Sequence, residues 1–283
     1  MSGTLYLVPT PIGCLDDLSP RARSVLASVQ LVAAEDTRVT RRLYDELGLP
    51  APRLVSNHDH NERTRAAELV RALERGDDVA VVSDAGTPLV SDPGFRAVVA
   101  CIEAGVRVVP LPGPSAVTTA LVASGFGTDQ WLFVGFLPRQ AKKRAQLIAQ
   151  RRYEPATWLF FEAPHRIVAT LGDLAEVLGP ERRVCVARSL TKQWEELVRG
   201  TVVEVQASFE AEGKVLGELT VAVEGYGGDP ADAHRALADD LVARLVAAGV
   251  APGVVRDVVA GALQLPRRAV YQQALALRDE EAP

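Results

Sequence analysis

The sequence predicts an α/β fold: two α/β lobes followed by a small C-terminal helical domain. Three observations predict it. Short apolar runs alternate with amphipathic segments from Leu5 to Pro110. The same alternation restarts at Trp131. After the break YGGDPAD (Tyr226 to Asp232), only helical periodicity remains. Short strands separated by helices mean βαβ units and a largely parallel sheet. The expected boundaries are 1–125 for the first lobe, 126–228 for the second and 229–283 for the helical domain.

In chain order, LYLVP (Leu5 to Pro9) is a strand. Ser19-Pro20 opens a helix, with Ser at the N-cap and Pro at its first position. QLVAA (Gln30 to Ala34) is a strand, and a helix runs from about Val39 to Leu47. Asn61 to Arg75 is a helix closed by Gly76. VAVV (Val79 to Val82), a helix from Pro93 to Ala104 and VRVVP (Val106 to Pro110) complete the pattern. Gly113-Pro114-Ser115 opens a further helix ending near Gly125. The second series has strands at WLFVGF (Trp131 to Phe136), ATWLFF (Ala156 to Phe161), RVCVA (Arg183 to Ala187) and ELTVAVEG (Glu218 to Gly225).

Bulk properties exclude several classes. The 283 residues are 48% hydrophobic, enough for real cores. No run of eighteen apolar residues exists, and MSGTLYLVPTP lacks a basic leader, so a cytoplasmic protein without a membrane span is expected. Cys14, Cys101 and Cys185 lie too far apart for a zinc site or a disulfide framework. Net charge is −5, so any nucleic acid must be held by a local basic patch. Only four lysines occur (Lys142, Lys143, Lys192 and Lys214), which makes each of them informative.

In open α/β sheets, ligands bind beyond the carboxyl ends of strands. PTPIG (Pro9 to Gly13), EDTR (Glu35 to Arg38), SDAGTPLVSDPG (Ser83 to Gly94) and PLPGPSA (Pro110 to Ala116) occupy that position in the first lobe. FEAPHR (Phe161 to Arg166) and RSLTK (Arg188 to Lys192) occupy it in the second. Neither a dinucleotide-binding glycine fingerprint nor a phosphate-binding P-loop is present. Asp84 and Asp92 are poor neighbours for a bare polyphosphate. They suit a ligand with cationic groups, and S-adenosylmethionine fits: it carries a sulfonium, an ammonium and a ribose diol, and glycine N–H groups suit its carboxylate.

The ordered set LYLVPTPIG, AAEDTR, HDHNE, VSDAGTPLVSDPG, VVPLPGPSAVTTAL, GFLPR, FFEAPHR, LTKQWEE and GELTVAVEG resembles the ribosomal RNA small subunit methyltransferase I family. That family is a branch of the tetrapyrrole-methylase superfamily. The resemblance runs from Leu5 to the helical tail. It implies S-adenosyl-L-methionine as methyl donor, bound in the cleft between the lobes, and a homodimer. It implies 2′-O-methylation of a cytidine ribose (cytidine 1402) in 16S rRNA, with free rRNA or the small ribosomal subunit as partner. By resemblance, Pro11, Ile12 and Gly13, then Asp84, Ala85, Gly86, Thr87, Pro88 and Leu89, and Pro112, Gly113, Pro114 and Ser115 line the donor pocket. The strand end at Phe161-Glu162 and the stretch near Val221 to Glu224 join them from the second lobe. The chain departs from the family at Cys14, where asparagine is usual, and at Val39, where histidine is frequent.

A ribose hydroxyl is a weak acid, so a base or a charge stabiliser is expected beside it. Lys192, Glu162, Glu35, Asp36 and His165 are the candidates, and the sequence does not rank them. For Lys192 the competing reading is an ion pair with Glu195 or Glu196. RQAKKRAQLIAQRR (Arg139 to Arg152) reads either as a solvated helix face or as a phosphate contact through Arg139, Lys142, Lys143 and Arg144. The tail resembles a helix-turn-helix whose second helix presents Arg267 and Arg268 to RNA; packing or dimerisation is the other reading. In HDHNE, the His58-x-His60 spacing suits a metal, yet no cluster completes a site. A helix cap at Asn61, RNA contact or dimer packing are its alternatives. A tetrapyrrole methylase and a non-catalytic RNA-binding module are the competing functions.

Overall fold

The computed structural model describes residues 2–58 and 61–280. The chain divides into two compact units. One comprises Met1–Arg152 with Ala156–Gly225, the other Tyr153–Pro155 with Tyr226–Pro283. Both α/β lobes lie in the first unit, and the helical unit begins at Tyr226 instead of 229.

The first sheet has five strands: β1 (Thr4–Leu7), β2 (Leu31–Ala34), β3 (Arg53–Ser56), β4 (Val79–Val82) and β5 (Arg107–Pro110). Their order is β3-β2-β4-β1-β5, and every pair is parallel. Strands alternate their side chains between two buried faces. Leu5, Val79 and Val81 pack with α3 (Glu62–Glu74) and α4 (Phe95–Glu103). Val32, Ala80 and Val82 pack with α1 (Pro20–Ser28) and α2 (Thr37–Leu47). Ser19 caps α1, its hydroxyl accepting from the Ala22 N–H at 3.1 Å. α2 starts two residues before the expected Val39 because Asp36 caps it. Strand β3 was not expected from the sequence: it is a sheet edge with one buried residue, Val55, and so carries no apolar run.

The second sheet joins β6 (Trp131–Phe136), β7 (Thr157–Glu162), β8 (Arg183–Arg188), β9 (Glu196–Thr201) and β10 (Leu219–Val223) in the order β6-β7-β10-β8-β9. Only β6 and β7 pair parallel; β10 runs antiparallel to both β7 and β8, and β9 antiparallel to β8. β9 is a polar edge strand that the sequence left unmarked. One face packs with α6 (Ala141–Ala149), α7 (Ile167–Leu178) and α8 (Val202–Glu212) around Trp158, Phe160 and Val221. The other face takes α5 (Ala116–Ser124), through Val117, Ala120 and Leu121 against Leu159, Cys185 and Ala222. The sequence boundary at 125 assigns α5 to the first lobe, yet its apolar residues are buried on the second sheet.

The helical unit contains α9 (Pro230–Ala247), α10 (Pro252–Leu263) and α11 (Arg267–Glu280). Val242, Val246, Val255, Val259, Val270 and Ala274 form its core. The turn between α10 and α11 passes through Gln264 in the left-handed region, at φ 52°.

Candidate functional site

Three loops at the carboxyl edge of the first sheet are tied into one platform. Thr10 and Gly86 exchange backbone hydrogen bonds of 2.9 and 3.0 Å. The Thr10 hydroxyl donates to Ser83 O, and the Ser83 hydroxyl to Gly86 O. The Thr87 hydroxyl donates to Pro114 O at 2.9 Å. Gly86 sits at φ 85°, a conformation that disfavours a side chain. A Cβ at Gly113 would lie 2.6 Å from Pro9 Cβ, so this glycine serves loop packing. Leu89 and Ser91 hold positive φ without being glycine, at 72° and 67°. Such strain persists only where the surroundings impose it. Here Glu62 helps: its Oε1 accepts from the N–H groups of Gly94 and Arg96, both at 2.9 Å.

The second sheet supplies a facing edge. β7 and β8 both run against β10, so their ends lie beside the start of β10: Leu219 is opposite Glu162 and Arg188. The expected stretch from Val221 to Glu224 is therefore placed elsewhere. Val221 to Val223 lie further along the sheet, and the Glu224 N–H bonds to Arg183 O at the opposite edge. Gly217 to Thr220 take their place at the site. At Gly217, φ 96°, a Cβ would run into Ser189 Oγ, and that hydroxyl would have to turn aside. Ser189 and Thr191 also carry positive φ, at 50° and 62°. This strained loop meets the first platform directly: Cys14 N–H donates to Thr191 Oγ1 at 3.1 Å, and a Cβ at Gly13 would lie 2.5 Å from Lys192 Cγ.

Between these edges lies a cavity of ≈ 400 Å³. Phe136 and Phe161, 5.4 Å apart between ring centroids, line it from the second sheet. Glu35, Asp84 and Asp92 line it from the first. The Asp84 carboxylate accepts the Asp36 N–H at 2.9 Å, and burial pushes its pKa upward. Asp92 is pushed up to about 6, chiefly by burial and then by the charges of Glu35 and Asp84; a Ser83 hydrogen bond opposes the rise. Asp36 behaves in the opposite way, since its bonds to Arg38 hold its carboxyl down at about 2.

A second cavity of ≈ 430 Å³ lies against α2 and the loop from Thr10 to Leu15. The two cavities share Ile12, Asp84, Ala85, Lys192 and Glu218 as a common wall. A small recess of ≈ 60 Å³ extends beside Gly86, Thr87 and Ser115.

The expected site residues divide. Ile12, Asp84, Ala85, Lys192, Glu162 and Glu35 line the first cavity, and Pro11 and Gly13 the second. Pro88, Pro112, Gly113 and Pro114 line none of these spaces, and Leu89 packs into the core of the parallel sheet instead. Lys192 pairs with Glu218 at 2.6 Å, not with Glu195 or Glu196. Those two are used by the Thr191 N–H and by Arg188. Glu162 is a buried, fully engaged carboxylate: it accepts from Thr170 Oγ1 at 2.6 Å and from the Ala163 N–H, and lies 3.3 Å from Arg166 Nε.

Arg139, Lys142 and Lys143 are exposed at the start of α6. Arg144 is not: it is 5% exposed and paired with Asp173 at 2.5 Å. It sits on the inner face of a helix whose outer face carries the lysines. Arg267 and Arg268 are exposed on the first turn of α11. Asp59 and His60 of HDHNE lie outside the described residues, and no group of metal-ligating side chains occurs among the described ones. Asn61 accepts the His58 N–H, and Glu62 caps α4, a structural use that the motif's exposed-contact reading missed. The sequence reading also missed Glu218 and left Asp92 undecided. Glu218 stands in the GELTVAVEG motif, but its place depends on which strand β10 joins.

The family model of Tetrapyrrole (Corrin/Porphyrin) Methylases matches residues 4–206. The chain is 50% identical over 282 residues to Ribosomal RNA small subunit methyltransferase I of Micromonospora olivasterospora, covering 100% of this chain and 90% of that one. It is 47% identical to the protein of that name from Escherichia coli O157:H7, over 83% of this chain and 84% of the other. Among solved structures, uroporphyrin-III C-methyltransferase from Thermus thermophilus, complexed with S-adenosylhomocysteine, shares the fold. Its TM-score is 0.53 at 22% identity, covering 78% of this chain and 97% of that one. The chain belongs to the tetrapyrrole methylase family and, within it, to the ribosomal RNA small subunit methyltransferase I group.

Proposed function

We propose that the protein methylates 16S rRNA of the small ribosomal subunit with S-adenosyl-L-methionine, at the ribose 2′-hydroxyl of a cytidine (cytidine 1402). It works as a cytoplasmic homodimer. The observation that carries this reading is the first cavity, where an aromatic wall faces three carboxylates from the other sheet. The residues fit the donor. Phe136 and Phe161 offer flat apolar surface to a purine, and Glu35, Asp84 and Asp92 favour a cation. The recess at Gly86, Thr87 and Ser115 adds close backbone approach. When bound, the donor supplies an electrophilic methyl carbon on a sulfonium.

The chain's own residues do the rest. With the donor bound, the hydroxyl oxygen would take its methyl group as the carbon–sulfur bond breaks with the electron pair left on sulfur, and the hydroxyl proton would pass to a carboxylate. Asp84 is suited to receive it: it stands in the wall common to both cavities, and its raised pKa favours proton uptake. Lys192, ion-paired with Glu218, acts as a charge stabiliser in the same wall. Glu162, already engaged, orients the end of β7. The rigid loops from 83 to 94 and from 189 to 192 hold the reacting groups in line.

The test is transfer of a labelled methyl group from the donor to small ribosomal subunits or to a tetrapyrrole precursor, with the product mapped. Label at one cytidine ribose is expected. Label on the tetrapyrrole alone overturns the reading, and donor binding with transfer to neither points to an RNA-binding module. Lys192→Met is expected to lower turnover; a near-normal rate with bound donor removes Lys192 from the chemistry.

A further inference from the structure

We propose that the second cavity is the seat of the acceptor nucleotide, with Arg42 on its phosphate and the Thr40 hydroxyl bonded to it. The inference rests on the reading of the chain as an RNA methyltransferase. At ≈ 430 Å³ the cavity is within the size range of small-ligand sites. Its wall toward the first cavity is made of Ile12, Asp84, Ala85, Lys192 and Glu218. A donor on one side and a nucleotide on the other therefore meet at Asp84 and Lys192.

The charges of the two cavities differ. Among the described residues, Lys192 is the one cation lining the first, in the company of acids. The second adds Arg42, whose side chain has no ion-pair or hydrogen-bond partner among the described residues, although Glu46 lines the same space one helical turn on. A guanidinium is suited to a phosphate. Thr40 gives an independent sign. It lines this cavity, is 2% exposed, and its hydroxyl has no hydrogen-bond partner among the described residues. A buried hydroxyl without a partner is costly, and a ligand oxygen removes the cost. Leu15, Val39 and Leu43 give the same space an apolar side for a base or ribose. The helix carrying these groups is firmly set: Asp36 caps it and the buried Tyr44 hydroxyl donates to Leu26 O at 2.9 Å. Enzymes that modify a nucleotide within RNA take it from a single-stranded or extruded position, which a cavity of this kind accommodates.

Methyl-transfer kinetics on small ribosomal subunits test the proposal, beside calorimetric titration of S-adenosylhomocysteine. Arg42→Ala is expected to raise KM for subunits about tenfold and to lower the slope of log KM against log salt by about one, with Arg42→Lys between it and wild type. S-adenosylhomocysteine affinity stays within about twofold of wild type. Thr40→Val is expected to raise KM severalfold without lowering Tm. An Arg42→Ala enzyme with wild-type KM and salt slope overturns the proposal while leaving the RNA reading standing. So does equal loss of affinity for S-adenosylhomocysteine, which would put the donor in this cavity. A wild-type protein that transfers no label to subunits overturns the parent reading and this one together.

Discussion

The two sheets have five strands each and the same kind of helical cover, yet they build their halves of the site differently. In the parallel sheet every strand ends on one edge, so its loops converge there and bring Glu35, Asp84 and Asp92 together. In the mixed sheet β6, β7 and β8 end at the site, and β10 begins there. Its contribution is mainly shape: two phenyl rings, a strained turn, and a glutamate whose oxygens are already bonded. The parallel side thus supplies three carboxylates, and the mixed side supplies shape and a neutralised ion pair, Lys192 with Glu218.

The largest expected effect comes from removing charge from the parallel side. Asp84→Ala is expected to lower the methyl-transfer rate by about 100-fold or more, in initial rates on small ribosomal subunits. Its fold should be intact by circular dichroism; an unchanged rate would erase the distinction between the walls. On the shaped side, Gly217→Ala forces a Cβ against Ser189 Oγ at positive φ and should cost about 2–3 kcal/mol in urea unfolding. Gly105→Ala is the control, since it has positive φ but open space, and should cost about 1 kcal/mol. Equal costs would show that backbone conformation alone, and not the close approach, requires Gly217. Glu62→Ala strips two N–H groups of their acceptor and should cost about 1–2 kcal/mol by the same measurement, with the loop from 89 to 94 loosened in hydrogen exchange.

A smaller effect lies in pH dependence. Asp92 titrates at about 6 in the fold against 3.8 as an ordinary carboxyl. Between those values the folded protein holds a proton that the unfolded chain has lost. Its contribution to stability therefore falls as pH rises through that window and is flat above it. Asp92→Asn removes the fall, so its Tm should exceed that of wild type increasingly from pH 4 to 6 and by a constant margin above. Scanning calorimetry that finds no such divergence would mean the acidic wall carries no electrostatic cost. Last, Arg38→Ala removes an exposed, solvent-screened ion pair and should leave the urea unfolding midpoint unchanged.

Much of this was legible in the residues. The capped start of α1, the strand β4 and the glycine-proline loops after it follow from local chemistry and period, whereas the Asp36 cap that starts α2 before Val39 was missed. The place of Asp84 on the cavity wall was legible because a polar loop after a buried strand of a parallel sheet has one place to go. The basic run was only half legible: it marked a helix, but which cation lies inward depends on the partner surface, and Arg144 meets Asp173 there. Polar edge strands such as β3 and β9 carry no apolar run at all.

By itself, then, the sequence determined the alternation of strands and helices, the loops that border the site, and the acids those loops carry, because each depends on neighbours along the chain. Tertiary structure alone decided four things: the antiparallel insertion of β10, the packing of α5 on the second sheet, the pairing of Lys192 with Glu218, and the wall dividing the two cavities. Each of these depends on residues far apart in the chain, and strand direction and ion-pair choice are settled only when whole surfaces are buried against each other.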